Sequence, residues 1–231
     1  MSSARSEILA RLRKSSKEPD RNTITRGQWS LGRAPAAPLP AADTCEAFFI
    51  NVIKNHGTVD STGSRSDTVS AIGAYLYENF RSKRLVAGND PRLAAMPWRD
   101  AGVLPRFGGV EEGEHVALSF ARLAVAETGA VVTFTGKANP AANNLLPEHH
   151  LVLVEAEDIV ATLEDAWDRI NAELEKAPRP RGINFIAGPS STGDIEGQLV
   201  YGAHGPRSWH VIVVGEVPAG ALERAQAAVG S

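Results

Sequence analysis

The chain has 231 residues, 43% of them hydrophobic and 22% charged, with a formal net charge of −3. That length and balance predict one substantial buried core and exclude a disordered chain. No apolar run approaches the roughly 18–20 residues of a membrane-spanning helix, and the basic N-terminus lacks the apolar stretch of a signal peptide, so a cytoplasmic protein without a membrane span is expected.

From the N-terminus, Ser3 to Lys14 places Ile8 and Leu12 at helical spacing and reads as a short amphipathic helix, followed by a Pro-, Ala- and Arg-rich stretch to Pro40. Residues 1–42 therefore form a basic arm. Between Met1 and Arg33 eight basic residues face three acidic ones, which leaves −8 for the remainder. Such an arm suggests docking, but Trp29 is its only aromatic and no recognition motif follows, so nucleic-acid binding is not expected.

The α/β domain is expected over 43–231. Asp43 can cap a helix carrying Ala47, Ile50, Val52 and Ile53 that Gly57 ends. Cys45 in that helix is the only cysteine, too few thiolates for an iron–sulfur cluster, which takes about four. Thr58-Val59, a helix capped by Ser66 or Asp67 with Val69, Ile72, Leu76 and Phe80 on one face, and Leu85-Val86-Ala87 make a βαβ unit with parallel pairing. Val116 to Ala126 and Ala130 to Phe134 are strand-like runs joined by the turn Glu127-Thr128-Gly129, and Leu151 to Val154 is a buried strand, so the sheet is mixed. Asp158 opens a long amphipathic helix through Leu174. Ile183 to Ile186 and Val211 to Val214 are further buried strands, and Ala221 to Val229 is a closing helix. The six histidines show no zinc-ligand spacing, so no metal site is expected.

Three places carry residues suited to chemistry. Ile183-Asn184-Phe185-Ile186-Ala187-Gly188-Pro189 reads as a strand breaking into a glycine-rich loop, with Ser190, Ser191 or Thr192 capping a helix whose first turn holds Asp194 and Glu196. Two carboxylates there oppose a second anion and suit a hydroxyl-bearing ligand, a cation or a partner's basic residue. Glu127, at a strand end before Thr128-Gly129, is a candidate general acid, base or nucleophile; a carboxylate bonded to backbone N–H groups in a tight turn is the alternative. His204 and Arg207, in Gly202-Ala203-His204-Gly205-Pro206-Arg207, could pair acid/base and carboxylate-clamp roles; a solvated turn is the alternative. No dinucleotide-binding, Walker or serine-hydrolase motif is present.

The Gly188-Pro189-Ser190-Ser191-Thr192-Gly193-Asp194-Ile195-Glu196-Gly197 run, with Glu127-Thr128-Gly129 and Leu199 to Arg207, resembles the lactate-utilisation protein C family of LUD-domain proteins over roughly Asp43 to Val217. The resemblance implies the fold of ribose-phosphate isomerases, glucosamine-phosphate deaminases and coenzyme A transferases: a three-layer α/β/α arrangement with a mostly parallel, mixed sheet. It also implies a basic residue, a leucine-proline and a histidine, which Lys137, Leu146-Pro147 and His149-His150 fill loosely, His150 having the better claim. The implied function is that of a non-redox subunit of an iron–sulfur-dependent L-lactate oxidation system, binding a small hydroxy or keto acid or iron–sulfur partner chains that hold the clusters. The alternatives are a free-standing isomerase or acyl transferase using Glu127, and a small-molecule sensing module.

Overall fold

The computed structural model describes residues 4–15, 22, 26–27, 32, 35, 37–195 and 198–230. Contacts divide the chain into two compact units, Met1–Pro35 and Ala36–Ser231. In the first, helix α1 (Ala4–Ser15) carries Glu7 in its first turn and Arg13 and Lys14 in its last, the order the helix dipole favours. Trp29 lies outside the described residues. No described helix is long and apolar enough to cross a membrane.

The second unit runs in chain order through α2 (Thr44–Lys54), β1 (Thr58–Thr62), α3 (Arg65–Phe80), β2 (Arg84–Ala87), α4 (Pro91–Ala94), β3 (Leu104–Phe107), β4 (Val116–Phe120), β5 (Leu123–Val125) and β6 (Ala130–Thr135). It continues through α5 (Ala141–Leu145), β7 (His149–Glu155), β8 (Ile159–Val160), α6 (Leu163–Leu174), β9 (Gly182–Ile186), β10 (Ser191–Ile195), β11 (Gln198–Tyr201), β12 (Ser208–Val214) and α7 (Ala221–Gly230). Six strands form one sheet in the order β1-β12-β7-β4-β2-β3, every neighbouring pair parallel.

Two-residue periodicity along these strands builds three layers. Leu151, Leu153, Ile212 and Val214 project to one face, against Val69, Ile72 and Leu76 of α3. Val152, Val154, Val211 and Val213 project to the other, against Phe48, Phe49 and Val52 of α2 and Ala221 and Ala225 of α7. These side chains are almost wholly buried, and each large one contributes about 1.5–3 kcal/mol.

Antiparallel pairing lies outside this sheet, in the two-stranded β10-β11 and in a second sheet, β8-β5-β6-β9, where β6 runs antiparallel to both β5 and β9. Ala166 and Ile170 of α6 pack on Leu123, Val125 and Val132 of this sheet. The β5–β6 turn is clamped by α2: the Asn51 amide donates to the carbonyls of Ala126 (2.7 Å) and Glu127 (3.1 Å), and the Asn55 amide to that of Thr128 (2.7 Å). Gly129 sits in that turn at φ 67°, where a Cβ would come within 2.6 Å of the Asn51 backbone carbon. Only glycine meets both conditions.

Several elements differ from the sequence reading. The segment after Ser190 is a strand, Ser191–Ile195, paired antiparallel with β11 and not a capped helix, so the helix-dipole account of Asp194 and Glu196 does not apply. Helix α6 starts at Leu163, capped by Thr162 in a capping box with Asp165, because Ile159 and Val160 pair with β5 and hold the preceding chain extended. Ser64 caps α3, its side chain accepting from the Asp67 N–H. His56 takes the positive φ after α2 (62°), while Gly57 is required by close approach: a Cβ there would meet Trp209 Cε3 at 2.6 Å. Ile183 to Ile186 are half-buried, since β9 edges the second sheet.

Candidate functional site

A cleft of about 420 Å³ opens where β7 and β12 begin. Its lining draws on Asn144 of α5, His150 of β7, Asn184 of β9, Gly188 and Ser190 in the following loop, His204 and Gly205 before β12, and Trp209. Among these, Asn144, His150 and Trp209 are buried, whereas His204 is exposed. The floor therefore lies against the central sheet and the rim on the loops. Among the described residues, the lining contains no Asp, Glu, Lys or Arg.

In this fold class ligands usually sit at the carboxyl edge of the parallel strands; here His150 and Trp209 bring the amino ends of β7 and β12 to the cleft. The glycine-rich loop does leave the carboxyl end of a strand, but that strand is β9 of the second sheet. The loop is held by backbone bonds, Ser190 N–H to Pro206 carbonyl (2.8 Å) and Gly202 N–H to Ser190 carbonyl (2.9 Å).

A chain of polar side chains runs beneath the floor. The Ser119 hydroxyl lies 3.0 Å from Oδ1 of Asn144 and of Asn139, and His150 Nε2 lies 3.0 Å from Ser119 Oγ. Asn144 Nδ2 donates to Thr133 Oγ1 (3.1 Å) and Asn184 Nδ2 to Thr135 Oγ1 (2.9 Å). Full burial pushes the His150 ring down to about 3, so it is neutral. Nδ1 of His150 and Nε1 of Trp209 are buried without a hydrogen-bond partner among the described residues.

The structure thus brings together Ser190, His150 and His204 of the residues expected from sequence. Glu127 stands elsewhere: its Oε2 accepts the Leu163 N–H (3.0 Å) at the start of α6, the bonded-turn arrangement named as its alternative. Arg207 is exposed and pairs with Glu148 Oε2 at 3.0 Å, outside the lining. Lys137 is exposed, and its backbone carbonyl accepts from the Asn89 amide (3.2 Å). Ser191 is exposed and Thr192 half-buried in β10, outside the lining. The Asp194 backbone lies in β10, and Glu196 lies outside the described residues.

Ser119, Asn144, Asn184 and Trp209 were not anticipated. A signal existed for two of them, since Leu118-Ser119-Phe120 and Ile183-Asn184-Phe185 each set a polar side chain inside an apolar strand, where it must find a partner. Asn144 and Trp209 reach the floor through tertiary placement alone.

On the opposite face of β12, the Tyr75 hydroxyl bonds to His149 Nδ1 (2.8 Å) and the Tyr75 ring stacks on His210 at 4.6 Å. His210 Nδ1 bonds to Thr58 Oγ1 (2.8 Å), and Nε2 stands 3.5 Å from Asp60. Burial brings His210 down to about 4. Nδ1 is thus satisfied within the protein, while Nε2 is buried without a hydrogen-bond partner among the described residues. Cys45 is buried in α2, and desolvation, with the nearby Asp43 carboxylate, pushes its thiol up to about 12.

Comparison with known proteins agrees with the architecture. The LUD domain family model matches residues 113–214. Lactate utilization protein C of Macrococcus caseolyticus is 30% identical over 165 residues, covering 67% of this chain and 71% of that protein. Lactate utilization protein C of a Geobacillus species is 36% identical over 104 residues, covering 45% of this chain and 43% of that protein. A crystal structure of a DUF162 family protein from Deinococcus radiodurans superposes with a TM-score of 0.56 at 20% identity, covering 77% of this chain and all of that one. That likeness concerns the fold. The extent of the Macrococcus match, with the family model falling on the strands that build the cleft, makes the chain a member of the lactate utilization protein C family of LUD-domain proteins.

Proposed function

We propose that this chain acts in lactate utilisation as the non-redox member of an iron–sulfur-dependent L-lactate oxidation system, its cleft binding the hydroxy acid while partner chains hold the clusters. The names of its relatives support the pathway. The division of labour rests on one observation, that the chain has a single cysteine, buried in α2, where an iron–sulfur cluster takes about four thiolates. The neutral cleft floor suits the hydroxyl end of a small acid. The alternative built on Glu127 as nucleophile gains no support from the geometry, because that carboxylate is engaged by the Leu163 N–H outside the cleft.

An affinity capture of the tagged chain from its own anaerobic lysate tests this reading. Co-elution of iron, sulfide and L-lactate-dependent dye reduction is expected. A colourless eluate without that activity would overturn it.

A further inference from the structure

Two side chains that line the cleft, each only 1% exposed, hold a buried nitrogen with no hydrogen-bond partner among the described residues: Nε1 of Trp209 and Nδ1 of His150. Such atoms are costly unless something else satisfies them. His150 and Trp209 are registered partners on β7 and β12, so their side chains leave the same face of the sheet from strands about 4.8 Å apart. One oxygen accepting a hydrogen bond from one group and donating to the other bridges nitrogens up to about 6 Å apart, a reach open to side chains on neighbouring strands.

The orientation of each ring is fixed by its neighbours. The Cε3–Cζ3 edge of Trp209 lies against Gly57, where a Cβ would be 2.6 and 2.9 Å from those two atoms. The indole N–H, on the far edge of the ring system, is turned away from that turn. For His150 the hydrogen-bond chain sets the tautomer. Asn144 donates its amide to Thr133 and so presents its oxygen to Ser119. The single Ser119 proton goes to that oxygen or to Asn139 Oδ1, and in both arrangements His150 Nε2–H donates to Ser119 Oγ. Nδ1 is then a bare lone pair on a ring that burial keeps neutral.

We propose that the cleft floor reads one ligand hydroxyl, which accepts a hydrogen bond from Trp209 Nε1–H and donates one to His150 Nδ1; the proposal rests on the reading that this cleft binds a hydroxy acid. A keto oxygen or a carboxylate accepts only and leaves Nδ1 unpaired; a methylene serves neither group. Because the described lining carries no lysine or arginine, the acid enters hydroxyl first, and its carboxylate stays at the rim near His204. The site so built distinguishes a 2-hydroxy acid from its keto counterpart by the oxidation state of one carbon.

The test is nuclear magnetic resonance of the full-length chain with 15N-labelled indole and imidazole groups, the Trp209 signal being assigned with Trp209→Phe. The wild-type protein is titrated with L-lactate, pyruvate and propionate. L-lactate is expected to shift the Trp209 indole N–H and to leave His150 as the Nε2–H tautomer, with pyruvate roughly tenfold or more weaker and propionate weaker still. A Trp209 signal that ignores L-lactate, or that responds equally to all three, overturns the proposal, as does a His150 signal of the Nδ1–H tautomer. A silent Trp209 beside an active affinity capture would leave the role in lactate utilisation standing and remove only the hydroxyl site.

Discussion

Burial decides what His150 and His210 can do. Both rings fold neutral, at about 3 and about 4, against about 6.5 in the unfolded chain. Because the folded values are depressed, the unfolded state binds more protons as the solution becomes acidic. Their contribution to stability is full above pH 6.5 and is lost as pH falls toward 4 and then 3, a loss of order a few kcal/mol. A urea midpoint that drops markedly between pH 7.5 and pH 5 is expected, and an unchanged midpoint would contradict the neutral assignment. The same burial explains which residues were legible. Ser190 and His204 stood out in sequence because a hydroxyl beside proline and an imidazole beside glycine are conspicuous, whereas His150 came from the family resemblance. Glu127 stood out equally, yet its carboxylate is occupied by a helix N-terminus 36 positions further along the chain, a partner that local sequence does not reveal.

At the scale of elements, the second sheet is tied to α2 where the amides of Asn51 and of Asn55, the C-cap of that helix, grip the β5–β6 turn. Gly129→Ala would force a side chain into the α2 backbone at a positive φ, at a cost of about 2–4 kcal/mol. Chemical denaturation should register that loss, and a variant as stable as the parent would show that the turn is not clamped. Buried strands such as Leu151 to Val154 were plain from composition, and α2 from Asp43 and its apolar face. The segment after Ser190 was not, because Ser190 to Glu196 satisfies the local rules for a helix N-terminus. Pairing of Ser191 with Tyr201 and of Thr192 with Val200 wins instead, aided by the β-branched residues and by Gly193, a poor helix former. Helix α6 was placed five residues early for the same kind of reason, Ile159 and Val160 being taken by the edge of β5.

Over the whole molecule, a parallel sheet with helices on both faces supplies a rigid floor, and loops from the second sheet and from the start of β12 supply the rim. The fold class was legible from alternating periodicity and a family resemblance; the position of the cleft at the amino edge was not, because the second sheet supplies one of its walls. In the proposed function a chain so arranged, with one buried thiol and no charged side chain in the described cleft lining, holds a hydroxy acid for redox centres carried elsewhere. Reconstitution tests this most directly: L-lactate-dependent dye reduction by the iron–sulfur partner chains, purified without this chain and then supplemented with it. The account predicts at least a tenfold rise on supplementation, roughly 1.4 kcal/mol in transition-state stabilisation; full activity in its absence, with no response to its addition, would contradict it.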